Sequence, residues 1–420
     1  MIKFDRFILK NGLKIIVHKD KTTPIVAVNI LYNVGARDEN PKRTGFAHLF
    51  EHLMFGGSVN IPSYDEPLQK SGGENNAFTN NDITNYYLTL PKQNIETAFW
   101  LESDRMLKLA FSKKSLDVQR NVVMQEFKQS YLNQPYGDVW LLLKPLAYKV
   151  HPYQWCTIGK DLSHIKNAKM EDVKAFFEKY YCPNNAIMIV AGDVETNEIK
   201  KLSEKWFGSI PKGKINNRKL PKEPKQTSPR KLTVKRDVPF DAIYKAYHCC
   251  SRYAKEYYTT DLLSDILSSG NSSRLYKTLV KEKKLFSEIN AYLSGDIDEG
   301  LFIISGKLVG GVKMEYAENL IKEELDKIST EFVKEKELQK VKNKIEANLV
   351  FSEMNILDKA MNLAYCELLG DANLFNDEIK KYLSVTKQHI KKTAQTIFKE
   401  SNCSTLYYLS KIKSKPNERR

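Results

Sequence analysis

Nowhere in the 420 residues does an apolar run approach eighteen consecutive positions, so the sequence offers no membrane-spanning helix. Cysteine is sparse. Cys156, Cys182, Cys249, Cys250, Cys366 and Cys403 are scattered apart from one adjacent pair, and no C-x-x-C spacing occurs. That density excludes a disulfide scaffold and makes reduced thiols in a cytoplasmic compartment the expectation. The N-terminus, MIKFDRFILKNGLKIIV, lacks the uninterrupted apolar core of a secretion signal. Its Asp5 and its missing serine fit a transit peptide poorly, and the expected setting is a bacterial-type cytoplasm.

Acidic residues are in deficit, 51 against 66 Lys and Arg, which leaves a net charge of +15. Much of the excess lies in Lys212–Lys235, Lys277–Lys284 and Lys411–Arg420, with no nucleic-acid-binding motif beside it. These stretches read as a linker, a helix face and a tail. Nucleic acid is not an expected partner; acidic peptides fit the charge better.

Histidine is almost as rare as cysteine, with seven in the chain, and two of the seven fall in the stretch AHLFEHLMFG, Ala47–Gly56. On a helix His48, Glu51 and His52 share one face, while Phe46, Leu49, Phe50 and Leu53 form the opposite, apolar one. A polar face opposite an apolar stripe is ordinarily a solvated face. Two scarce imidazoles four apart with a carboxylate between them instead form H-x-x-E-H, the inverted zinc-peptidase motif: two nitrogens for a metal and a carboxylate to handle protons. One helix cannot complete such a site, because a catalytic zinc takes a third protein ligand and an open position.

Two strands are expected between Phe4 and Val34, with a hairpin-like Asn11-Gly12 in the first stretch. A short helix should follow Pro62, then an alternating strand through NNAFTNNDITNYYLTLP. Helices are expected over Asn94–Leu109 and from Ser115 to about Leu132, with Val122, Val123 and Phe127 as the packing stripe of the second. Glu126 on that helix and Glu102 on the preceding one are both candidates for the third ligand. The Pro- and Lys-rich segment 211–231 reads as an extended linker between a first domain, 1–210, and a second, 232–420. The second half replays the first at an offset of about 217 residues. DVPFDAIYKAYHC parallels TTPIVAVNILYNV, and DLLSDILSSG takes the place of the motif helix. His48, Glu51 and His52 then fall on Asp265, Ser268 and Ser269, so the second half has the fold without the metal.

GFAHLFEHLMFGG, GGENNAFTNNDITNYY, HPYQWCTIGKDL and YYCPNNAIMIVAGDV, in this order, closely resemble the pitrilysin, insulin-degrading enzyme and mitochondrial processing peptidase family of inverted zinc peptidases. The resemblance covers nearly the whole chain. It implies an α+β fold of two homologous domains, each an antiparallel sheet packed against helices. It also implies one Zn2+ per chain held by His48, His52 and Glu126, with Glu51 as general base on the zinc-bound water. Asn76, Ala77 and Phe78 match the family's substrate-binding edge strand; the plain alternative for Phe78 is core packing.

Two positions depart from the family pattern. Where the family has a supporting Glu seven residues before the third ligand, this chain has Gln119. Where the family's second domain has an Arg and a Tyr that orient the substrate carbonyl, it has Lys281 and Glu288. Lysine lacks the guanidinium fork, and a carboxylate cannot replace a phenolic donor. The expectation is therefore a zinc endopeptidase subunit acting on peptides in a heterodimer, whose homologous non-catalytic partner supplies the Arg/Tyr pair. A homodimer is the less favoured arrangement, and a non-catalytic structural or assembly subunit is the alternative function.

Overall fold

The computed structural model describes residues 1–214 and 218–411. Residues 215–217 of the expected linker, and the expected basic tail apart from Lys411, lie outside the described residues.

The N-terminal hairpin forms as its turn predicts: β1, Asp5–Ile8, pairs antiparallel with β2, Lys14–Lys19. Gly12 between them sits at φ +91°, a left-handed conformation that suits a residue without Cβ. The remaining strands of this sheet are β3, Ile25–Tyr32; β4, Glu74–Thr79; β5, Thr84–Pro91; and β6, Ala186–Gly192. Their order is β1-β2-β6-β3-β5-β4, antiparallel except for the parallel pair β2–β6. The interior strands β3 and β6 are buried along nearly their whole length. β4 is an edge strand, and its alternating exposure matches a strand with one solvated face.

A second sheet repeats this plan. Its strands are β7, Arg230–Arg236; β8, Ala242–His248; β9, Phe286–Leu293; β10, Leu301–Leu308; and β11, Cys403–Ser410. The order β7-β11-β8-β10-β9 reproduces β2-β6-β3-β5-β4, down to the single parallel pair β7–β11. The first residues of β8, β10 and β11 (Ala242, Leu301 and Cys403) follow those of β3, β5 and β6 (Ile25, Thr84 and Ala186) at one constant interval, that of the sequence repeat. The fold is thus α+β with two homologous sheets, each packed against helices.

The two compact units are not linear halves. One comprises 1–128, 155–220 and 349–378; the other comprises 129–154, 221–348 and 379–411, as far as the chain is described. The expected boundaries at 210 and 232 therefore miss an exchange of segments. The helix Ile356–Leu368 buries Ile356, Ala360, Leu363 and Ala364 against β3 and β6 of the first sheet. Its counterpart one repeat earlier, the helix Val139–Ala147, buries Val139, Leu143 and Ala147 against β8 and β11 of the second. Each helix has an apolar stripe, but a stripe does not specify which sheet it will cover.

The described residues of the expected linker form no helix, enter β7 at Arg230, and are pinned. In the first unit Arg218 pairs with Asp38 at 2.6 Å, and Gly213 exchanges hydrogen bonds with the Asn184 side chain. In the second, the Glu223 carboxylate accepts the backbone N–H groups of Lys149, Val150 and His151 at 2.8–2.9 Å.

Candidate metal centre

The motif helix runs Phe46–Leu53, and its apolar face sets its rotation. Phe46, Leu49, Phe50 and Leu53 are buried, and the Phe50 ring lies 4.6 Å from that of Tyr181 and 6.0 Å from that of Phe177. His48, Glu51 and His52 are thereby turned to the half-open side. Gly45 precedes the helix at φ +90°, where a Cβ would lie 2.5 Å from the Ile158 carbonyl oxygen. Glu39 caps the first turn: its carboxylate accepts the N–H groups of Gly45 and Ala47, each at 2.8 Å. Burial pushes Glu39 up to about 8, against the pull of these two amides.

The second component is the helix Lys113–Phe127, which starts at Ser112, whose hydroxyl accepts the Ser115 N–H. Leu116, Val123 and Phe127 are its buried stripe. Of the three residues expected there, Val123 and Phe127 are inside, while Val122 is 39% exposed because it points with Glu126 to the open side. The two helices pack against each other, and next to them a Cβ at Gly56 would come within 2.5 Å of the Ser115 hydroxyl.

This packing brings His48, His52 and Glu126 together, with one ligating atom from each within 4.8 Å of the others. A Glu126 carboxylate oxygen lies 3.7 Å from His48 Nε2 and 3.4 Å from His52 Nε2. Two ligands about 2.1 Å from a tetrahedral zinc stand about 3.4 Å apart, so these spacings fit the edges of a zinc site. Burial, with help from the neighbouring His52, holds His48 down at about 4, which keeps its imidazole neutral as a metal ligand must be. His48 Nδ1 is buried without a hydrogen-bond partner, so its ring is held by packing and not by a second carboxylate or carbonyl. The rival Glu102 is engaged elsewhere. It is 1% exposed, forms a bidentate pair with Arg105 at 2.6 and 2.8 Å, and accepts the Tyr64 hydroxyl proton.

Glu51 is half-buried beside the cluster. Burial raises its carboxyl above the ordinary range, opposed by a hydrogen bond with Thr79 and by the His52 charge. Thr79 ends β4, so the edge strand touches the prospective base. Phe78 on this strand is 38% exposed, which removes the core-packing alternative. Asn76 is exposed and its side-chain oxygen accepts the Ala77 N–H at 2.8 Å. Gln119 lies two turns before Glu126 on the same helix, half-buried. In the second unit, Lys281 is exposed in a wide helical turn, Tyr276–Glu282, and Glu288 on β9 pairs with Lys307 at 3.0 Å. Thr79 and Glu39 were not singled out from sequence. Alternation along NNAFT places Thr79 on the face of Ala77, whereas a lone Glu in a polar loop carries no local signal of burial.

The chain belongs to peptidase family M16: the insulinase domain model matches residues 14–144, and the model described as the M16 inactive domain matches residues 167–345. It is similar to the zinc protease PqqE of Helicobacter pylori, 29% identical over 413 residues that span 96% of this chain and 92% of that protein. It is also similar to the uncharacterised zinc protease YmxG of Bacillus subtilis, 26% identical over 404 residues, 95% of this chain and 96% of that one. A crystal structure of a protease from Helicobacter pylori superimposes with a TM-score of 0.91 at 29% identity, covering 97% of this chain and all of that one. Among the described residues no helix is long and apolar enough to cross a membrane.

Proposed function

We propose that this chain is a zinc-dependent endopeptidase acting on peptides or unfolded segments, with His48, His52 and Glu126 as metal ligands and Glu51 as general base. The observation that carries the reading is the spacing of the three ligating atoms, two imidazole nitrogens and one carboxylate oxygen. Zinc bound there supplies a Lewis acid that polarises a peptide carbonyl and acidifies water. Glu51 accepts the proton of the attacking water and delivers it to the leaving amine; its raised affinity for protons suits both halves of that transfer. Thr79 fixes the carboxylate through its hydroxyl.

The free side of β4 receives the substrate as an added strand. Backbone hydrogen bonds along Asn76–Phe78 make recognition tolerant of sequence, and the exposed Phe78 ring offers an apolar contact. Gln119 keeps hydrogen-bonding ability at the position of the family's supporting Glu but adds no charge. Lys281 and Glu288 leave the substrate carbonyl without a forked or phenolic donor, which supports a heterodimer in which a homologous subunit supplies Arg and Tyr. Six cysteines, none in a disulfide, fit a cytoplasmic location.

The test is cleavage of a quenched peptide by the purified, zinc-loaded chain, alone and with its homologous partner. Zinc-dependent cleavage that the partner raises manyfold is expected. Full activity that the partner leaves unchanged contradicts the subunit assignment, and no metal-dependent cleavage under any condition contradicts the peptidase.

A further inference from the structure

The second unit has a counterpart of the metal cluster, and a lysine fills it. The equivalence of the two places follows from the repeat. Asp265, Ser268 and Ser269 stand one repeat interval after His48, Glu51 and His52, at the end of the helix Tyr257–Ser268. The helix Glu335–Ser352 takes the part of the Glu126 helix, and its Lys344 directly follows Asn343, on which Glu126 falls by the same interval. The motif helix and the helix Tyr257–Ser268 each also reach their edge strand through the equivalent residue: Glu51 bonds the Thr79 side chain on the first, and Ser268 Oγ donates to the Ala291 carbonyl at 2.8 Å on the second. The two contacts reach the edge strands at different rungs, since Thr79 pairs with Thr84 whereas Ala291 pairs with Ile304, the repeat equivalent of Tyr87.

In this frame the Lys344 ammonium lies 3.1 Å from Asp265 Oδ1 and donates to Ser269 Oγ, the residues that replace His48 and His52. One turn earlier, Lys340 Nζ reaches the Ser269 carbonyl and Ser272 Oγ, at the C-terminal end of the same helix, where the helix dipole favours positive charge. Asp265 is mostly buried, and its second carboxylate oxygen is buried with no partner. A carboxylate so placed needs a cation close by. We propose that Lys344 is the resident cation of the second unit. Its ammonium takes the position that corresponds to the metal centre, links the helix Glu335–Ser352 to the end of the helix Tyr257–Ser268, and leaves no place for a metal ion. Lys344 thereby fixes the metal count of the chain at one, a consequence that rests on the peptidase reading, whereas the role of the lysine does not.

The experiment is a double-substitution cycle in the full, metal-free chain, read by chemical unfolding. Lys344→Met keeps the side-chain length and removes the charge. It is expected to lower the folding equilibrium constant by about tenfold or more, because it strands the Asp265 charge. Adding Asp265→Asn, whose amide needs no counter-charge, is expected to recover most of that loss. Independent, additive effects of the two substitutions, or a Lys344→Met chain as stable as wild type, overturn the proposal. Metal analysis supplies a second readout: one zinc per wild-type chain is expected, and a second bound at Asp265 overturns the proposal. The cycle uses neither metal nor substrate, so its failure is distinguishable from failure of the peptidase reading.

Discussion

Replacing Glu39 by glutamine separates the charge of the motif-helix cap from its shape. The carboxyl is 6% exposed and is pushed up to about 8, whereas in the unfolded chain it titrates near its ordinary value of about 4.3. Between those limits the folded protein holds a proton that the unfolded chain has released. The stability contributed by this proton is fully present below about pH 4.3 and is lost as pH rises through 8. At about 1.4 kcal/mol for each pH unit between the two values, the loss across the window is at most about 5 kcal/mol. Glutamine does not titrate, so wild type should lose ground to Glu39→Gln steadily from pH 5 to pH 8.5. His48 works in the opposite sense, since its depressed value makes stability rise as pH climbs from about 4 past 6.5, but this contribution is common to both proteins. The assay is urea unfolding of both chains across that range in the presence of a chelator, so that metal binding adds nothing. A difference that stays flat, or that turns in favour of wild type as pH rises, refutes the reasoning. Glu39 would then be ionised in the fold, held by the two amide donors of Gly45 and Ala47.

Three further outcomes are expected. Glu126→Gln should weaken zinc binding by more than about a hundredfold, measured by competition with a chromophoric chelator, while stability without metal changes by less than about 0.5 kcal/mol because the carboxylate is 38% exposed; undiminished zinc affinity contradicts the ligand assignment. Phe78→Ala should raise KM for peptides several-fold, with metal content intact and stability within about 0.5 kcal/mol, since the ring is on the surface; unchanged kinetics removes this ring from substrate binding. The double substitution Lys281→Arg with Glu288→Tyr should raise kcat/KM of the chain assayed alone, and no gain contradicts the view that these two positions lack the orienting groups.

How much was legible in the sequence depended on whether the signal was local. The motif helix declared itself through four apolar residues on one side and three chemical ones on the other, and the structure keeps that division. β4 and β8 were readable from alternation and from the internal repeat. Glu126 and Glu102 looked alike in sequence, since both are helical glutamates after the motif. What separates them is Arg105, which lies three residues from Glu102 and binds it within a buried aromatic cage of Phe55, Tyr64 and Tyr86. The outward turn of Val122 and the burial of Glu39 depend on helices packing at a distance in sequence. The exchange of the helices Val139–Ala147 and Ile356–Leu368 had no local signature, because each stripe suits either of two nearly equivalent sheets. Lys344 was hidden for a similar reason: its meaning appears only when the two units are compared position by position.

The central claim is that three side chains hold a metal for which Glu51 moves protons. Its most direct test is zinc content together with peptide cleavage for wild type and Glu51→Gln, each assayed with partner present. The amide keeps the size of Glu51 and its hydrogen bond with Thr79 but cannot accept the proton. Unchanged zinc content and a loss of kcat of about a hundredfold or more are expected. Activity retained by Glu51→Gln, or a wild-type chain that carries no zinc, would contradict the claim.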